Sequence, residues 1–151
     1  MNEITHENAA RQEFMPLMRE LVRAYQAFAS FDAQLHRGSG FGLTVSQADV
    51  IFTLGNTSGM TCSEIGERTL ITKGTLTGVI DRLEKKGLVE RTRLHTDQRC
   101  IRVSLTDRGV QVFETLFPAH VARLKSRFNR LDADTRRLAL KVLPAIRSAF
   151  E

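Results

Sequence analysis

The chain has 151 residues, 42% hydrophobic and 26% charged, which fits one ordinary globular unit. No apolar run approaches the roughly 20 residues of a membrane helix. The polar opening MNEITHENAARQEF is not a secretory leader, so the expected location is cytoplasmic. Two cysteines, Cys62 and Cys100, do not make a disulfide framework.

Taken in chain order, residues 12–37 place Phe14, Leu17, Met18, Leu21, Val22, Tyr25, Phe28, Ala29 and Leu35 at helical spacing. Pro16 suits the first turn of that helix, and the glycines of Gly38–Gly42 end it. Thr44 or Ser46 caps a second helix over about 47–55, with Val50, Ile51 and Leu54 inward. A turn at 56–59 follows. Ser63 is expected to cap a short helix burying Ile65 and Leu70. Thr72 is expected to cap the next, whose apolar stripe is Leu76, Val79, Ile80 and Leu83. Gly87 stands where a left-handed C-terminal cap belongs.

The period then changes. LVERTRL and CIRVSLT alternate roughly between apolar and polar around the polar stretch HTDQR, which predicts a β-hairpin. Thr106-Asp107 opens a long helix carrying Val110, Phe113, Leu116, Phe117, Val121, Leu124 and Phe128, with a kink expected at Pro118. Asp132 caps a last helix carrying Leu138, Val142, Ile146 and Phe150, which Pro144 is expected to bend or shorten.

The net charge of +5 is unevenly spread. Residues 1–72 hold five basic and eight acidic side chains, residues 73–102 hold eight and four, and residues 103–151 hold nine and five. The excess over 103–151 reads as a solvated face. The excess over 73–102 coincides with helix, turn, helix and basic hairpin, an order that suits duplex DNA. A major groove about 12 Å wide admits one α-helix. The helix at 73–86 has an apolar anchor on one side and Lys73, Thr75, Thr77, Arg82 and Lys85 on the other. Arg91 and Arg93 lie in the hairpin, and His95 in its loop is within reach of a phosphate.

The segment ITKGTLTGVIDRLEKKGLVERTRLHTDQRCIRVSLTDRG resembles the DNA-binding part of the MarR family of bacterial regulators. The likeness rests on the Leu83–Arg91 run, the Asp97-x-Arg99 hairpin tip and the Leu105-Thr106 lead into a long helix. It implies a mainly α fold: a winged helix-turn-helix lobe over 44–105 with a two- or three-stranded wing, and dimerisation helices at 10–37 and 107–151. It implies a homodimer on palindromic double-stranded DNA. Lys73, Thr75 and Thr77 would contact bases or phosphates. Arg99 would enter the minor groove, held by Asp97, and Arg91 would support the wing or touch phosphate. Thr61, Ser63 and Thr72 would offer donors to phosphates from helix starts. One departure is that Gly74 and Gly78 stand inside the recognition helix, each costing about 1 kcal/mol relative to Ala. Either base reading is reduced or the backbone approaches DNA closely.

The resemblance further implies a repressor released by a small aromatic or anionic effector, bound between the dimer helices and the DNA-binding lobe. Tyr25, Phe28, Asp32, His36 and Arg37 are the candidate pocket residues. A rival input is redox sensing by Cys62 or by Cys100, which sits between Arg99 and Arg102. A rival class is a winged-helix protein–protein adaptor, against which the basic wing argues. His6, His36, His95 and His120 show no metal-ligand spacing, no phosphate-binding glycine loop or nucleophile elbow occurs, and neither cofactor, metal nor catalytic site is expected.

Overall fold

A capping box starts the first helix of the central lobe. Thr44 Oγ1 accepts from the Gln47 amide at 3.2 Å, and Gln47 Oε1 accepts from the Thr44 amide at 3.2 Å. The computed structural model describes residues 3–69, 71–94, 96 and 100–151. After a 3-10 turn at Ala9–Arg11, its elements are α1 (Met15–Arg37), α2 (Val45–Leu54), β1 (Met60–Thr61), α3 (Cys62–Thr69), α4 (Lys73–Lys85), β2 (Val89–Arg93), β3 (Ile101–Leu105), α5 (Asp107–Phe128) and α6 (Ala133–Ser148). Most predicted elements are present within a few residues. Leu70 lies outside the described residues.

Three local features add detail to the expected outline. The wing has a third strand, β1, paired antiparallel with β3 through Met60↔Val103 and Thr61↔Arg102, and the sheet order is β1-β3-β2. Thr61, not Ser63, caps α3. Its Oγ1 accepts from the Glu64 amide, and the Glu64 carboxylate accepts from the Thr61 amide at 2.7 Å. Both α5 and α6 continue through their prolines, so neither Pro118 nor Pro144 ends its helix.

The core lies inside the lobe from α2 to β3, closed by the first half of α5. Val50, Ile51, Leu54, Ile65, Leu76, Val79, Ile80, Leu83, Val89 and Val103 are each at most 3% exposed. Burying one such side chain contributes about 1.5–3 kcal/mol. At Gly109 a Cβ would stand 2.0 Å from the Leu88 carbonyl oxygen, so only glycine lets α5 approach this closely.

The outer helices are different. α6 has no buried residue, and it makes no extensive contact with any other element. Along α1, Phe14, Leu17, Met18 and Val22 are exposed, as are Leu138, Leu140, Val142 and Leu143 of α6. Among the described residues, no helix is long and apolar enough to cross a membrane.

Candidate nucleic-acid interface

Helix α4 is held on one side and open on the other. Leu76, Val79, Ile80 and Leu83 are 0–3% exposed, while Lys73, Thr75, Thr77, Arg82 and Lys85 face solvent. At 3.6 residues per turn, Gly74, Gly78, Asp81 and Lys85 run along the line opposite the buried stripe. A Cβ at Gly74 would meet nothing within 4 Å, and one at Gly78 only the Arg82 guanidinium at 3.5 Å. Neither glycine has a positive φ. Packing and backbone geometry therefore do not demand glycine at either place.

Both ends of α4 are set by sequence. Thr72 is extended at the N-cap but makes no cap bond; its hydroxyl donates to Thr75 Oγ1 at 3.1 Å. At the C-terminus Gly87 takes φ 70°. The Gly87 amide donates to the Glu84 carbonyl and the Leu88 amide to the Leu83 carbonyl, closing a left-handed cap. The chain then turns directly into β2.

Arg91 of β2 reaches back to α4. It donates to Asp81 Oδ1 at 2.6 Å and to Glu84 Oε2 at 2.5 Å. Partial burial works against its charge, but the bonds to Asp81 and Glu84 prevail and hold its pKa above the ordinary value. These bonds tie β2 to α4. Arg93 is exposed on the same strand, opposite Ile101. Arg102 of β3 donates to the Gly59 carbonyl at 3.0 Å, tying the sheet to the turn before β1.

Of the helix-start residues, Ser63 is exposed. Thr61 directs both its amide and its hydroxyl at Glu64, and these bonds hold the Glu64 carboxyl below its ordinary range. His95, Asp97 and Arg99 lie outside the described residues. Cys62, the first residue of α3, and Cys100, just before β3, are both half-buried.

This three-stranded winged helix-turn-helix has counterparts. Residues 43–101 match the MarR family model. The uncharacterized HTH-type transcriptional regulator YkoM of Bacillus subtilis is 29% identical to this chain over 121 residues, 80% of this chain and 77% of YkoM. The HTH-type transcriptional regulator MhqR of Bacillus subtilis is 24% identical over 136 residues, 89% of this chain and 92% of MhqR. Overoxidized AbfR, solved bound to DNA, is 29% identical with a TM-score of 0.72, covering 93% of this chain and 99% of AbfR.

The five residues expected to line an effector pocket separate. Phe28 lines a cavity of ≈ 390 Å³ between α1 and α5 with Ala27, Phe31, Leu124, Arg127, Phe128 and Leu131. Tyr25 is 70% exposed, and Arg37 also faces solvent. Asp32 and His36 instead join His120 of α5 in a nearly buried polar cluster. Burial, assisted by His36, pushes His120 below its ordinary pKa against the pull of Asp32. Burial, assisted by Asp32, raises Asp49 of α2. Sequence reasoning missed Arg127, whose guanidinium lies 4.6 Å from the Phe31 ring centroid. The available signal was Leu124 and Phe128 one helical turn apart around it.

Proposed function

We propose that this chain is a sequence-specific, DNA-binding transcription regulator that acts as a two-fold homodimer. One observation carries the reading. Helix α4 is anchored by a fully buried stripe and leaves a whole polar and glycine face free at the surface of the lobe. That is the shape a major groove accepts. In this reading Lys73, Thr75, Thr77, Arg82 and Arg93 contact DNA, with Thr72 and Ser63 beside phosphates. The wing tip at His95, Asp97 and Arg99 reaches the adjacent minor groove.

The exposed apolar residues of α1 and α6 support the dimer, because nothing among the described residues covers them. A second copy also supplies the symmetry that half-sites about 10 bp apart require. The cavity between α1 and α5 supports a small aromatic anion as effector. Three phenylalanines line it and Arg127 supplies the cation. Such a ligand would shift the population between spacings of the two α4 helices, most simply to release a repressor from its operator.

Selection of bound duplexes from a random pool tests the DNA reading. The expected product is a palindrome whose affinity falls steeply with salt. Failure to enrich any duplex, or binding indifferent to salt, refutes it. Analytical ultracentrifugation tests the assembly: Leu17→Glu with Leu143→Glu is expected to convert a dimer to a monomer.

A further inference from the structure

We propose that Asp32, His36 and His120 form a binding site for a divalent transition metal of the zinc class where α1, α2 and α5 meet. The proposal stands apart from the DNA-binding reading and needs none of its residues.

Asp32 and His36 are one helical turn apart on α1 and share a face. His120 arrives from α5. One ligand atom from each residue lies within 4.8 Å of the others. His120 Nε2 is 3.2 Å from Asp32 Oδ1, and His36 Nε2 is 3.6 Å from Asp32 Oδ2. A tetrahedral zinc ion with bonds near 2.1 Å spaces its ligand atoms about 3.4 Å apart. The two pairs straddle that spacing, one through each oxygen of the Asp32 carboxylate.

Burial turns this proximity into an argument. The side chains of His36, His120 and Asp32 are 2%, 9% and 15% exposed. Neither ring nitrogen of His36 has a hydrogen-bond partner among the described residues. A buried polar atom left unpaired is costly, and native chains rarely tolerate one without a use. A metal takes the lone pair of one nitrogen and offsets that cost.

The surroundings fit a site. The His36 and His120 rings stack at 4.8 Å. Phe52 of α2 packs against them at 5.9 and 5.1 Å, forming an apolar wall. Two imidazoles and one carboxylate make a borderline donor set, suited to zinc and its transition-metal neighbours rather than to calcium or magnesium. Three protein ligands leave a position for water or a further ligand. His120 also borders a cavity of ≈ 140 Å³ lined by Leu35, Ser39, Thr115 and Arg123, which offers a route in. Asp49 lies within electrostatic reach of Asp32 and His36, placing a second carboxylate near the cluster. An ion here would clamp α1 to α5 over α2, at the joint between the outer helices and the DNA-binding lobe.

The test uses the full chain, stripped with chelator and titrated with zinc chloride by calorimetry and with cobalt(II) by absorbance. One ion per chain, the intense visible bands of four-coordinate cobalt and a raised Tm are expected. Asp32→Asn and His120→Gln should each lower affinity by more than the ~10–100-fold attached to a supporting group outside the ligand set. His6→Gln should leave it unchanged. Circular dichroism of the metal-free variants separates loss of ligands from loss of fold. Absence of stoichiometric binding overturns the proposal, as does binding that survives both substitutions. In either case the cluster is an internal ion pair only.

Discussion

Arg91 on the wing and Asp81 on helix α4 are joined by a 2.6 Å charge-assisted hydrogen bond, which ties strand β2 to the exposed helix. Glu84 reinforces the joint. Because Asp81 and Glu84 are about half exposed, at 51% and 44%, the bonds themselves add at most about 1 kcal/mol of stability.

Arg91→Ala is therefore expected to lower stability modestly and DNA affinity severely. It frees the wing and leaves two carboxylates uncompensated on the face offered to phosphates. Urea denaturation and fluorescence anisotropy on the same variant read the two effects. A large stability loss with unchanged DNA affinity would make the clamp merely structural.

Gly74→Ala separates two explanations for the glycines of α4. The new methyl meets nothing within 4 Å, so the free protein should gain about 1 kcal/mol from helix propensity. If the α4 backbone lies close against DNA, the same methyl should weaken operator binding at least tenfold. A variant that is more stable and binds as before would remove the close-approach idea.

Gly109→Ala is expected to be damaging, because its Cβ would overlap the Leu88 carbonyl oxygen at 2.0 Å. Overpacking typically costs 1–3 kcal/mol, and a rigid backbone neighbour places this site at the upper end. Chemical denaturation should show a lower midpoint with little change in slope.

Acid should loosen the start of α6. The Asp132 carboxylate accepts from the Thr135 amide at 2.7 Å and from its hydroxyl at 2.9 Å, which holds its pKa below the ordinary value. A carboxyl depressed on folding stabilises above its unfolded pKa, and that contribution is lost as pH falls through the folded one. Hydrogen exchange at Thr135 should accelerate below the usual carboxylate range. In Asp132→Asn, which keeps a good cap without titrating, the acceleration should vanish.

Much of this fold was legible because its signals are local. The stripe of α4, the Gly87 cap, the Thr44 and Asp132 caps and the alternating strands each need only a few neighbouring residues. Strand β1 was not legible, since two residues carry no period and Met60 pairs with the distant Val103. The cap of α3 was misplaced although Thr61-Cys-Ser-Glu64 spells a capping box. The histidines were read by spacing along the chain, and only folding brings His120 to the Asp32–His36 turn. For the same reason Phe28 was found as a cavity residue but Arg127 was not.

Helix α6, which buries no residue fully in the single chain, carries a cost before assembly. A freshly made copy displays Leu138, Leu140, Leu143 and Phe150 to chaperones and proteases until it meets another. Melting temperature should therefore climb with protein concentration. The cellular dose of the regulator would then be set partly by how quickly its copies find each other.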